Sequence, residues 1–217
     1  ELSHKLKTVN DWIEKDQISE VIRRIKVPQS SGLIQANREI SELITSGTSV
    51  SENRKTGEKS PTVKYIDFDE PDNNSFIAIS QYKLSITGSE KHIIPDIVIF
   101  VNGIPLVVVE CKAPNTTDPI FEAFTQILRY SERRGAKEGN QKLFFYNLFS
   151  VATCSTIAKY GTITSDFDHL NEWLDTYPFE NSHAEDSALQ KQEILIEGML
   201  QKQNFLDLLH TYTVFRD

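Results

Sequence analysis

The 217-residue chain is 39% hydrophobic and 25% charged, which supports one buried core and excludes a disordered or fibrous protein. No apolar run reaches the roughly 18 to 20 residues that cross a bilayer, and the opening ELSHKLKTVNDWIEKD lacks the apolar stretch of a secretion signal, so membrane and export readings drop out. A net charge of −8 is the opposite of a free-standing nucleic-acid binder, whose phosphate contacts need clustered Lys and Arg; if DNA is the substrate, another element must hold it.

The first thirty residues read as a helical arm: Ile18, Val21, Ile22 and Ile25 recur at the spacing of one helix face, and Pro28 closes the segment. A second helix is expected from Gly32 to Ser46, where Ala36, Ile40, Leu43 and Ile44 share a face and Gly47 supplies the stop. The polar, turn-rich SVSENRKTGEKSP (49–61) is expected as a mobile loop. Its GEKS is not a phosphate loop, which needs a further glycine and a preceding strand, and no nucleotide site is visible in the chain.

From Thr62 the period changes from helical to extended. VKYIDF, FIAISQY, IPDIVIFV and PLVVVECK are β-branched and aromatic-rich and are punctuated by Gly, Pro and Asn, which predicts a four-stranded sheet. The successive apolar residues of LVVVE imply a strand covered on both faces. After Pro119 a helix is expected with Ile120, Phe124, Ile127, Leu128 and Ser131 on one side, and KLFFYNLFSVATCS (142–155) returns as another buried strand. A last helical region is expected from Glu185 to His210, followed by TYTVFRD without a finishing element, as in a piece cut from a longer chain. The fold class is therefore α/β, a mixed central β-sheet flanked by helices. The expected division is a helical arm (1–30), a core domain (31–180) and a C-terminal helical segment (181–217). Cys111 and Cys154 lie in apolar strand-like segments with no CxxC and no histidine cluster, so neither a disulfide framework nor a zinc site is offered, and a reducing, cytoplasmic setting fits best.

Polar residues within IIPDIVIFVNGIPLVVVECKAP need a reason. Asp96, Glu110 and Lys112 stand on two strands joined at Asn102-Gly103, and burying an unpaired polar group costs roughly 2 to 7 kcal/mol, a charge more. Residues two apart on a strand share a face, so Glu110 and Lys112 point one way and Cys111 the other. Whether Asp96 joins them depends on the turn. A two-residue Asn-Gly loop pairs Asp96 with Val109 and puts Glu110 on the opposite face. An odd loop over Val101-Asn102-Gly103 with Gly103 left-handed, or a bulge near Pro95, restores matching faces, and one of these is predicted.

Two converging carboxylates repel unless a cation lies between them. Mg²⁺ suits that place, since it takes oxygen ligands, keeps several waters and accepts substrate phosphate oxygens. Lys112 would then orient a water and face developing negative charge, a constellation suited to phosphodiester hydrolysis. A simple hairpin salt bridge has the same residue pattern, and in a chain with 31 acidic and 23 basic residues E-x-K arises by chance. On the following helix, Gln126 and Tyr130 are i, i+4 neighbours on a polar strip that also holds Arg133. Such a strip is either a solvated face or, with its amide, phenol and guanidinium, a contact for a phosphate backbone.

Pro95-Asp96, Glu110-Cys111-Lys112 and QILRY (126–130) together resemble the PD-(D/E)XK nuclease domain at the N-terminus of the R (restriction) subunit of type I restriction-modification enzymes. ANREISELITSG (36–47), IDFDEPDNNSFIAISQY (66–82), LFFYNLFSVATCSTIAKYGTIT (143–164) and FLDLLHTYTVF (205–215) are similar to it in order and spacing, and N-G-x-P-L between the two strands is characteristic of that family. The resemblance implies a restriction-endonuclease-like core, a Mg²⁺-dependent endonuclease (Mn²⁺ substituting) cutting double-stranded DNA, and a catalytic set of Asp96, Glu110 and Lys112. It implies DNA-positioning roles for Gln126, Tyr130 and Arg133. It also implies ATP use only through motor domains that this chain lacks, and partners in methyltransferase and specificity subunits. The usual leucine of E-x-K is here Cys111, a small hydrophobe if it faces the core. Related nucleases place a metal-side glutamate on the first core helix, for which Glu39 is the nearest candidate, against the reading of an ordinary helical acid. A repair or recombination nuclease of the same fold, and a non-catalytic docking or DNA-contact module, remain as competing readings.

Overall fold

In the computed structural model, which describes residues 1–86, 88–179, 190–213 and 215, three helices come first: α1 (Leu2–Val9), α2 (Lys15–Lys26) and α3 (Leu33–Ser46). α2 buries Ile18, Val21 and Ile25 on one face, the periodicity legible in the sequence. α3 stops at Gly47, whose φ is 76° and where a Cβ would stand 2.7 Å from the Val63 carbonyl, so both conformation and space demand glycine. Two short strands, β1 (Thr48–Ser49) and β2 (Thr62–Val63), then pair antiparallel. The intervening segment, expected as a mobile loop, is anchored by Asn53, which is fully buried. Its side chain donates to the Trp12 carbonyl and the Gln17 side chain and accepts from Lys55 N and Thr56 N.

The remaining elements are β3 (Phe76–Ser80), β4 (Leu84–Ser85), β5 (His92–Ile93), β6 (Ile97–Val101), β7 (Ile104–Cys111), α4 (Pro119–Tyr130), α5 (Gln141–Phe144), β8 (Phe149–Cys154), β9 (Ile157–Gly161), α6 (Lys191–Ile194), a π-turn (Leu195–Met199) and α7 (Lys202–Thr211). Five strands form the central sheet in the order β3-β6-β7-β8-β9, with β7 and β8 parallel and the other neighbours antiparallel. The sheet is mixed and flanked by helices, as expected, but its membership differs. VKYIDF does not join it. Backbone groups of that segment are satisfied by side chains instead: Asn10 accepts from Lys64 N and donates to its carbonyl, and Asn102 donates to the Tyr65 carbonyl. In KLFFYNLFSVATCS, the first residues form α5 and the strand begins at Phe149. Residues 185–189 of the expected last helical region lie outside the described residues.

β6 and β7 form the hairpin that carries the site. The turn is a two-residue one, Asn102 (φ 53°) and Gly103 (φ 86°), with Val101 opposite Ile104 and Phe100 opposite Pro105. The expected odd loop is therefore wrong. The register shifts one step further on, so that Ile99 faces Val107 and Ile97 faces Val109, leaving Leu106 as an extra residue. The bulge has the predicted effect at a different place, near the turn rather than near Pro95. At the bulge Pro105 has no N–H to donate, and the Leu106 carbonyl accepts from Leu148 N at 2.7 Å. Continuing the register sets Asp96 opposite Glu110.

α4 starts at Asp118, whose side chain accepts from Phe121 N, with Pro119 in the first turn, and lies on the face of the sheet that bears Ser150 and Ala152. The opposite face, with Ile97, Ile99, Val109 and Val151, is covered by Leu195, Leu200 and Phe205 from the C-terminal segment. Residues of α1 and α2 (Leu6, Ile18, Val21) and of α7 (Phe205, Leu209) belong to one continuous core with the sheet. Among the described residues, no helix is long and apolar enough to cross a membrane.

Candidate active site

The bulged register brings Asp96, Glu110 and Lys112 to the α4 face. Asp96 is half-buried and held from two sides. Its Oδ2 accepts the Cys111 backbone N–H at 2.8 Å and its Oδ1 accepts from the Gln81 amide at 2.8 Å. Glu110 is 1% exposed; its Oε1 accepts from the Lys112 ammonium at 2.8 Å, whereas Oε2 is buried and has no partner. Lys112 Nζ also donates to Gln126 Oε1 at 2.8 Å. Gln126 Nε2 donates to the Tyr130 hydroxyl, which donates to the Ile94 carbonyl at 3.2 Å. A line of hydrogen bonds thus runs from Lys112 along α4 to the backbone two residues before Asp96.

Electrostatics follow from this enclosure. Burial, assisted by the neighbouring charge of Asp96, pushes the Glu110 carboxyl up to about 7, with the hydrogen bond from Lys112 opposing. The Cys111 thiol and the Tyr130 phenol are likewise raised, each chiefly by burial. An uncompensated buried carboxylate oxygen is costly in the ionised state, and a cation is what would offset it.

Of the remaining sequence candidates, two join this site and two do not. Gln126 and Tyr130 do not form a solvated strip: Tyr130 is 2% exposed, and both side chains turn inward to Lys112 and Ile94. Arg133 does not join them. Its guanidinium donates to the Ser165 carbonyl at 2.8 Å and approaches Asp166, and burial lowers its pKa. Glu39 is not at the acidic pair either. Its carboxylate accepts from Gln29 N and Ser30 N, fixing the chain before α3. Among the described residues, no group of three or more His, Cys, Asp or Glu side chains is placed to hold a metal. Asp96 and Glu110 alone could do so, leaving other positions to water and substrate, the usual way Mg²⁺ is bound. Asn74 and Gln81 flank the strand FIAISQY and read from that place as structural hydrogen-bonders near the active edge; Gln81 does reach Asp96, because β3 pairs with the strand that follows Pro95-Asp96, whereas Asn74 binds Asp67 and Asn102 instead.

A mixed sheet with an aspartate, a glutamate and a lysine converging on one face beneath a helix is a restriction-endonuclease-like PD-(D/E)XK core, here with helical extensions at both ends. The chain belongs to the family of type I restriction enzyme R protein N-termini, whose model matches residues 1–169. It is similar to the type I restriction enzyme HindI endonuclease subunit of Haemophilus influenzae, with 26% identity over 216 residues, or 99% of this chain and 20% of that protein. Two putative type I restriction enzyme endonuclease subunits of Methanocaldococcus jannaschii are also similar. MjaIXP is 22% identical over 96% of this chain and 21% of its own length, and MjaVIIIP is 29% identical over 99% and 19%. The chain spans about a fifth of the length of these curated relatives.

Proposed function

We propose that this chain is the nuclease module of a type I restriction R subunit and hydrolyses phosphodiester bonds of double-stranded DNA with Mg²⁺, Mn²⁺ substituting. The observation that carries the reading is the buried, unpartnered Oε2 of Glu110 directly across the hairpin from Asp96. Those two carboxylates would hold the ion. When bound, it supplies positive charge beside the phosphate and makes a water more acidic. Lys112, steered by Glu110 Oε1 and Gln126, orients the attacking water and faces the charge that develops on the phosphate oxygens. Gln126 and Tyr130 support this step by fixing the ammonium, a role the hydrogen-bond line favours over direct contact with the DNA backbone.

In this reading the acidic module does not hold the duplex unaided. ATP-driven motor domains of the longer polypeptide, with methyltransferase and specificity subunits, deliver DNA in the cytoplasm, where Cys111 and Cys154 stay free thiols. The test is DNA cleavage by the full-length subunit in its assembled complex. Asp96→Ala, Glu110→Ala and Lys112→Ala should each reduce cleavage by about 1000-fold or more, the equivalent of several kcal/mol of charge stabilisation, with ATP hydrolysis unchanged. Continued cutting by Glu110→Ala would favour a docking module, and joint loss of ATP hydrolysis would show that these residues serve the assembly instead.

A further inference from the structure

Gln81 follows β3 in the left-handed region, at φ 52°. Glycine or asparagine meets that backbone demand more cheaply, so the turn alone does not account for a glutamine. The side chain does. Its Nε2 donates to Asp96 Oδ1 at 2.8 Å, while its own backbone N–H donates to the Asp96 carbonyl at 2.8 Å and Tyr82 N donates to the Pro95 carbonyl. Asp96 is thus gripped at its main chain and its side chain by one residue, with Cys111 N on the other carboxylate oxygen. The grip has work to oppose, because Asp96 and Glu110 face each other and their charges repel. Freed of one of its two side-chain bonds, the Asp96 carboxylate would swing away from its neighbour.

We propose that Gln81 is a positioning residue whose amide fixes the plane of the Asp96 carboxylate, so that Asp96 and Glu110 meet a divalent cation already aligned. The inference rests on the metal-site reading given above. Each carboxylate oxygen of Asp96 keeps a lone pair beyond the one engaged by protein, so the amide orients the ligand without occupying all of its capacity. Outer hydrogen bonds of this kind are worth about 10- to 100-fold in metal affinity.

The experiment is a calorimetric titration of Mn²⁺ into the 217-residue chain, with thermal melting measured alongside, for the native protein, Gln81→Gly and Asp96→Ala. Gln81→Gly suits the left-handed turn and removes the side chain that carries the amide. Its affinity should fall by about 10-fold with the melting temperature unchanged or higher. Affinity equal to the native chain overturns the proposal, as does a loss that comes with a lower melting temperature, which marks a structural role. Asp96→Ala separates the two levels: if it abolishes binding while Gln81→Gly binds normally, the metal site stands and only the positioning role falls. If native binding is absent or survives Asp96→Ala, the metal-site reading fails and this inference with it.

Discussion

On one face of the central sheet Ile97, Ile99, Val109 and Val151 meet Leu195, Leu200 and Phe205; on the other, Asp96, Glu110 and Lys112 meet the amide and phenol of α4. The same strand, β7, serves both, because alternate side chains point to opposite sides. The apolar face is held by the packing of aliphatic and aromatic side chains. Among the described residues, the polar face satisfies its buried groups one by one and leaves one oxygen over, Glu110 Oε2. That remainder is the chemical difference between a core and a site.

The strongest way to break the contrast is to put a carboxylate on the apolar face. Val151 is 1% exposed, and Val151→Glu should cost about 4 kcal/mol or more in urea unfolding, because the carboxylate would be taken out of water among apolar side chains. A loss below 1 kcal/mol would mean that water reaches both faces. Removing the charge from the polar face should act in the opposite direction. Glu110 holds its proton up to about pH 7 in the folded state, against 4.5 ordinarily, so the folded protein binds the extra proton between those values. Its stability therefore falls as pH rises from about 4.5 to 7 and is flat above. Glu110→Gln should remove that slope and stabilise the metal-free chain at pH 8, by up to about 3 kcal/mol. Unfolding curves at pH 5 and 8 check this, and a variant less stable than native at pH 8 would contradict it. The smallest effect belongs to the end of the hydrogen-bond line. Tyr130→Phe deletes the donor to Ile94, which should cost about 1 kcal/mol of stability and lower cleavage several-fold in the assembled complex. Unaltered cleavage would show that Lys112 needs no such support.

How much of this could be read from the chain depended on how local the cause was. α3 and its stop at Gly47 were legible because periodicity and a left-handed glycine act within one turn. The pairing of the two strands around Asn102-Gly103 was legible too, but not the parity of their register. The bulged Leu106 binds Leu148, more than forty residues away, and no local pattern carries that bond. KYIDF read as a strand because its composition is that of one, yet Asn10 and Asn102 supply its hydrogen bonds. The helix period put Gln126 and Tyr130 side by side correctly, but which side is buried follows from the Ile94 carbonyl and Lys112, both on other elements. Glu39 and Arg133 were judged by residue type, and their partners, the Gln29 and Ser30 amides and the Ser165 carbonyl with Asp166, are ones that type does not reveal.

The Asn102-Gly103 turn has a practical corollary for labelling. Hairpin tips are the customary place for tags, probes and new chain ends. Here Asn102 is fully buried, binding Tyr65, Asn74 and Ser75, and a Cβ on Gly103 would stand 3.1 Å from Glu1. An insertion there would unlatch three segments at once. Gly57 and Gly88 have nothing within 4 Å of a Cβ, yet both sit at φ 74°, so a labelled side chain there would have space but would strain the backbone.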